Sequence, residues 1–128
     1  MRGTDFVHLH LHSEYSLLDG AIRFSELLKK AEVFGMPAVA VTDHGNLFGA
    51  LDFHRKGFDT PVKPILGCEV YVAPKSRFDR TSGGTDTDDV SHHLVLLVKN
   101  LKGYRNLCKM VSASYTEGFY YKPRIDKE

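Results

Sequence analysis

From Phe6 to Leu11 the chain alternates apolar residues with histidines, FVHLHL, and this period of two predicts a short strand with its histidines on one face. A turn is expected at Asp19-Gly20. Phe24, Leu27, Leu28 and Ala31 then fall at i, i+3, i+4 and i+7, the buried stripe of an amphipathic helix that Gly35 can terminate. The run PAVAVTDHG from Pro37 is apolar until it turns polar, as in a strand covered on both faces of a parallel sheet, and Asn46 is placed to cap a second helix ending near Lys56. Val62 to Val72, VKPILGCEVYV, forms a third extended run that Pro64 and Gly67 are expected to shorten or kink. Ala73 to Ser91 is rich in Gly, Thr, Ser and Asp, which predicts a long mobile loop. HHLVLLVKN predicts a fourth buried strand. Tyr104, Leu107, Cys108 and Val111, with Tyr115 one turn later, mark a last helical stripe.

The order strand, helix, strand, helix, strand, strand, helix predicts an α/β fold with right-handed crossovers and a largely parallel sheet. A closed barrel of that kind takes roughly 250 residues. With 128 residues, the chain is expected to form half of one as a single unit, ending at RIDKE without a closing element.

Composition narrows the function. Seventeen Lys and Arg against sixteen Asp and Glu give a net charge of +1, which excludes the global attraction of a basic DNA-binding module and leaves only local contacts. Cys68 and Cys108 lie far apart with no CxxC spacing, which fits a reducing cytoplasm and neither a disulfide framework nor a zinc finger. No stretch has the length or apolarity of an export signal or a membrane span.

The candidate chemistry lies in four separated segments. His8, His10 and His12 share one face if the segment is extended, and two imidazoles of an HxH pair can meet on one metal, although such alternation also arises by chance on surfaces. Asp43-His44-Gly45 ends an apolar strand, where α/β folds place reactive groups; the plainer alternative is a helix cap followed by a loop histidine. Glu69 interrupts an apolar run, where a carboxylate needs a cation or donors unless the strand is an exposed edge. Asp19 is a further donor or simply a turn residue. His92 and His93 open a strand, so one is expected inside and the other outside. Together these imidazoles and carboxylates read as a multinuclear hydrolytic site, and their mixture suits Zn²⁺ or Mn²⁺ better than Ca²⁺. Ser13, Ser16 and Cys68 show no nucleophile and base arrangement. Lys75, Arg77 and Arg80 are candidates for steering phosphates, or are simply solvated.

FVHLHLHSEYSLLDG, AVAVTDHGNLFGALDFHRKG, KPILGCEVYVAPKSRFDR, HHLVLLVKNLKGYRNLCKM and EGFYYKPRID together resemble the N-terminal PHP (polymerase and histidinol phosphatase) domain of bacterial DNA polymerase III alpha subunits. The resemblance covers essentially the whole chain and implies the first half of a distorted (β/α)7 barrel. It implies up to three divalent metal ions held by His10, His12, Asp19, His44, Glu69 and His93, clustered at one end of the sheet. Behind these ligands it places His8, which stands where many superfamily members carry Asp, and Asp43. It also implies that the remaining ligands, including an Asp-x-His, lie beyond Glu128, so that this chain alone binds metal weakly and is inactive. The activity implied is metal-dependent hydrolysis of phosphate esters, with 3′-5′ exonuclease proofreading in the intact protein; polymerisation belongs to a Mg²⁺ site absent here. The implied partners are DNA and other replisome subunits, with self-association of the open half-barrel. A stand-alone phosphatase of the histidinol-phosphatase type and a catalytically silent docking module are the alternatives.

Overall fold

The computed structural model describes residues 5–80 and 91–128. Its centre is the strand β2, Lys63–Val72. Along one edge β2 pairs in parallel with β1, Ala38–Val41, from Ala38 opposite Lys63 to Val41 opposite Leu66. Further along the same edge lie a single bridge to His44 and the two-residue strand β4, Arg124–Ile125, opposite Tyr71 and Val72. The other edge pairs antiparallel with β3, His92–Leu97.

Side chains alternate across a strand, so Leu66, Cys68, Val70 and Val72 share one face of β2. Two helices cover the start of that face: α1, Phe24–Val33, and α2, Ala50–Gly57, place Phe24, Leu28, Ala31 and Phe53 on Val39, Val41 and Leu66. The third, α3, Leu101–Thr116, brings Leu107, Met110 and Val111 onto Cys68 and Val70 at the far end. The opposite face of β2 carries Glu69 and Tyr71 and is left for chemistry.

Local signals explain the helix boundaries. Gly35 takes φ 68°, and the N–H groups of Gly35 and Met36 return to the carbonyls of Glu32 and Ala31, closing α1 as a Schellman motif. Asn100 caps α3 by accepting from Gly103 N–H at 3.0 Å. Ser13 caps a 3₁₀ helix, Glu14–Asp19, which stands before the expected turn at Asp19-Gly20.

Several expectations are corrected. Residues 6–11 run beside β1 but form no ladder: Ala40 N–H bonds His8 O while Thr42 N–H bonds Leu11 O, so three steps on one side meet two on the other. The Leu11 N–H then goes to the Thr42 hydroxyl, at 3.0 Å. Asn46 does not cap α2, whose N-cap is Gly49; its side chain bonds Phe48 N–H, Tyr15 O and His44 O and so ties the preceding loop. Pro64 and Gly67 leave β2 continuous. Lys63 N–H faces Pro37 O, so the next residue's nitrogen faces the other edge, where pairing starts only at Gly67, and Pro64 forfeits no ladder bond.

The HHLVLLVKN strand is neither parallel nor buried, since β3 runs antiparallel and Leu94 and Leu97 are exposed. The half-barrel ends as expected, but RIDKE also contributes a strand that the apolar pattern did not announce: Arg124 and Ile125 form β4 on the edge of β2, and the buried Arg124 guanidinium donates to the carbonyls of Gly118, Arg77 and Asp79. The expected loop at 73–91 is tethered where it begins, by Ala73 N–H to Ile125 O and by Arg77 to Asp126; its residues 81–90 lie outside the described residues. Among the described residues no helix is long and apolar enough to cross a membrane.

Phe53 is wholly buried between the helices and β1, whereas its neighbour Leu51 is exposed. Phe53→Ala is expected to cost about 3–5 kcal/mol in denaturant unfolding, and Leu51→Ala no more than about 0.5 kcal/mol.

Candidate metal centre

Everything at the centre is arranged around one carboxylate. Glu69 is 4% exposed, and its backbone straddles His44: its N–H donates to Asp43 O at 3.0 Å and its carbonyl accepts from Gly45 N–H at 2.8 Å. The register that sets Tyr71 opposite His93 puts that imidazole on the Glu69 face of the sheet. Thr42 and Ala40, which hold the 8–12 segment against β1, deliver His10 and His12 from the other side.

The two carboxylate oxygens are divided between two imidazole pairs. Oε2 contacts His10 Nε2 and lies 3.3 Å from His12 Nε2. Oε1 lies 2.5 Å from His93 Nδ1 and 3.7 Å from His44 Nδ1. In each trio the three donor atoms lie within 4.8 Å of one another, a spacing one cation can bridge.

Electrostatics favours the ligand forms. Burial by itself would push Glu69 up, but hydrogen bonds from His10 and His93 outweigh it and hold the carboxyl below its ordinary range. Burial and the neighbouring His12, whose ring stacks on His44 with centroids 4.0 Å apart, push His44 down, so it is neutral at pH 7. His12 Nδ1 lies 2.9 Å from Thr42 O; donating there fixes the tautomer and leaves Nε2 a lone pair directed at Glu69. His44 Nδ1 is buried with no hydrogen-bond partner. A purely structural network would have satisfied that nitrogen. A cation held there with Glu69 and His93 would supply the missing partner, so the residues present fit a divalent metal.

Five of the six expected ligands therefore meet: His10, His12, His44, Glu69 and His93. Asp19 ends the 3₁₀ helix, exposed and outside both trios, although its charge reaches His44 and opposes the downward shift there. His8 is exposed, meets the Phe6 ring edge-on and belongs to neither trio. Asp43 stands behind the centre: its carboxylate accepts from Ser13 N–H at 2.6 Å, Ser13 Oγ at 2.8 Å and Ser16 Oγ at 2.7 Å, which locks the 3₁₀ helix onto the His44 corner. Of the expected phosphate contacts, Lys75 is exposed. Arg77 is committed to Glu117 and Asp126, both at 2.7 Å, and Arg80 donates to Glu117 O. Two contributors escaped the sequence reading. Thr42 orients His12, and Tyr71 packs its ring on His44 and His93. Both lie inside apolar runs, and only the strand register reveals which face they serve.

The sequence profile of the PHP domain matches residues 8–128. The chain belongs to the PHP domain family. This PHP domain is 54% identical over 127 residues to a DNA polymerase III subunit alpha of Aquifex aeolicus, a match covering 97% of this chain and 11% of that protein. The identity is 51% over 123 residues to that of Borreliella burgdorferi, covering 96% and 10%. It is 53% over 125 residues to that of Thermus aquaticus, also covering 96% and 10%. The chain thus spans about a tenth of the length of these relatives. Among solved structures, an amidohydrolase of Chromobacterium violaceum with bound sulfate and no metal aligns with TM-score 0.54 at 22% identity, covering 84% of this chain and 34% of that one. A protein of Bifidobacterium adolescentis assigned only as a candidate metal-dependent phosphoesterase gives 0.54 at 20% identity, covering 85% and 34%. At those identities the likeness shows the fold: a mixed α/β partial barrel.

Because Glu69 is shared and the imidazoles are not, variants should differ in stoichiometry. In the whole protein, Glu69→Gln is expected to abolish metal uptake at both trios, whereas His93→Ala removes one equivalent, as read by elemental analysis after equilibrium dialysis. Asp43→Ala should retain both equivalents at an affinity ~10–100-fold weaker.

Proposed function

We propose that this chain is the N-terminal PHP part of a bacterial replicative DNA polymerase III alpha subunit, and that its Glu69 centre hydrolyses phosphate esters once the rest of the protein completes it. The observation that carries the reading is a buried carboxylate with a pair of imidazoles at each oxygen, in a chain about half identical along nearly its full length to DNA polymerase III alpha subunits. The group to be held is Zn²⁺ or Mn²⁺, one ion with His10 and His12 and another with His44 and His93, with Asp19 beside His44 as a donor toward a third. Such ions supply a bound water of lowered pKa and neutralise phosphate charge.

The protein's own residues do the remaining work. Glu69 fixes the distance between the two trios, because its oxygens belong to one rigid carboxylate on a strand paired along both edges. Thr42 holds His12 in the tautomer that binds, and burial keeps His44 unprotonated at neutral pH. Asp43 with Ser13 and Ser16 keeps the 3₁₀ helix, and Asp19 at its end, against the His44 corner. In the intact protein we assign this centre a 3′-5′ exonuclease activity on DNA. Polymerisation, with its Mg²⁺, and binding to other replisome subunits belong to the remainder of the polypeptide, which works in the cytoplasm. A stand-alone phosphatase is less well supported, because the relatives carry this domain within chains about ten times longer.

A paired assay tests the reading: this chain and the complete domain, with added Zn²⁺ or Mn²⁺, against single-stranded DNA and a chromogenic phosphate monoester. The complete domain should degrade DNA from its 3′ end while this chain alone binds metal weakly and turns over neither substrate. Equal metal affinity and rate in the two would show that the residues here suffice. A metal-free, inactive complete domain would leave a docking module.

A further inference from the structure

We propose that the outward face of α3 docks a single strand of nucleic acid, with Lys102, Arg105 and Lys109 against its phosphates and a group of exposed rings beside the helix against its bases. The surface is separate from the Glu69 centre and needs no hydrolysis there. Leu107, Met110 and Val111 turn one side of α3 onto Cys68 and Val70, on the face of β2 opposite Glu69. Lys102, Arg105 and Lys109 follow one another at intervals of three and four residues, so they line the other side, about 4.5 and 6 Å apart along the axis. All three are exposed, as is Lys99 just before the Asn100 cap. Among the described residues none of these four side chains has an ion-pair or hydrogen-bond partner.

Charge is segregated at this face. From Val90 to Thr116 the sequence has no Asp or Glu, so four of the chain's seventeen Lys and Arg stand together without a counter-charge and the remainder of the chain is net acidic. The other helices mix signs: α1 sets Glu26 and Glu32 among Lys29 and Lys30, and α2 pairs Lys56 with Asp52. The first acid after α3, Glu117, is held by Arg77 at 2.7 Å. An overall charge of +1 therefore contains one local surface able to attract a polyanion. The placement also runs against the helix dipole. Lys99 and Lys102 stand at the positive, N-terminal end of α3, whose first turn has no acid and whose last turn has no base. A helix on its own is stabilised by the reverse arrangement, and an anion along this face removes the conflict.

Aromatic rings beside the C-terminal half of α3 favour a nucleic acid over an acidic protein surface. Tyr115 stacks at 29° on Phe119 with centroids 6.2 Å apart, and its ring lies 6.4 Å from that of Phe48. Tyr115, Phe119 and Phe48 leave 40%, 49% and 68% of their surface exposed. Tyr115 is six residues past Lys109, about 9 Å further along the axis. Cations on the backbone with unstacked bases on aromatic rings hold single strands without regard to sequence, whereas a duplex keeps its base faces covered. An acidic peptide would match the cations and leave the rings bare.

Photocrosslinking tests this in the whole protein, in EDTA so that nothing is hydrolysed, with a single-stranded oligothymidylate carrying 5-iodouracil and the crosslinked peptides mapped by mass spectrometry. The peptide holding Tyr115 and Phe119 should crosslink. Combining Lys102→Gln, Arg105→Gln and Lys109→Gln should raise the DNA concentration for half-saturation at that peptide ~100-fold near 0.1 M salt, and lower the slope against log salt by about 2. Lys102→Arg with Lys109→Arg keeps the charge and should keep the signal. Because the glutamines relieve a conflict with the helix dipole, that variant should be at least as stable as the unaltered protein in denaturant unfolding. No crosslink at that peptide, or equal half-saturation in the glutamine variant, overturns the proposal. So does equal crosslinking by the same strand in a duplex with oligoadenylate. Polyglutamate competing as well as unlabelled oligothymidylate would assign the face to an acidic protein and overturn it too, and loss of the signal together with loss of stability would make the cations structural.

Discussion

A carboxylate in the interior of a strand must be matched by donors or cations, because leaving its charge unpaired away from water is among the most expensive arrangements a protein can adopt. Glu69 meets that demand with hydrogen bonds from His10 and His93, with His12 and His44 set beside them where a cation would complete the match, and much of the fold follows from bringing these four imidazoles together from three separate segments. The long β2 carries the acid, its parallel edge delivers His44, its antiparallel edge delivers His93, and the segment beside β1 delivers His10 and His12. The helices keep to the other face, so the apolar core and the polar centre lie back to back across one sheet. That arrangement keeps the imidazoles accessible while the strand beneath them stays rigid.

A second layer of polar contacts holds this geometry. Asp43 is buried and matched by one N–H and two hydroxyls, which makes it a clamp between the 3₁₀ helix and the His44 corner. Cys68, on the core face beside it, is pushed up to about 12 by burial and donates to Asp43 O, so it remains a thiol that packs and does not react. Arg124 and Arg77 play the equivalent role at the far end, where three carbonyls and two carboxylates fasten residues 76–80 to β4. Satisfied networks of this kind specify one arrangement of loops that the core alone would leave loose.

Much of this was legible in the sequence. Helix periodicity located α1 and α3, Gly35 marked a real left-handed cap, and the apolar runs marked β1 and β2. The HxH pair, His44, Glu69 and His93 were singled out because a charge in an apolar run, or a histidine at its end, calls for a partner. The failures share a cause, since they depend on neighbours distant in the chain. The burial and direction of β3 depend on which edge of β2 it joins. Pro64 is harmless only because the β2 edge it faces is still unpaired there. Arg124-Ile125 is too short to show a period, and its strand character comes from pairing with Tyr71 and Val72. Asp19 stands apart from both trios at the end of the 3₁₀ helix, an element that no apolar period announces.

Anomalous diffraction from crystals of the whole protein grown with Zn²⁺ tests the central claim most directly. The account predicts two peaks that share Glu69: one within about 2.0–2.2 Å of Oε2 and of the His10 and His12 nitrogens, the other at the same range from Oε1 and the His44 and His93 nitrogens. Glu69 hydrogen-bonded to protonated histidines, with any metal bound elsewhere, would contradict it.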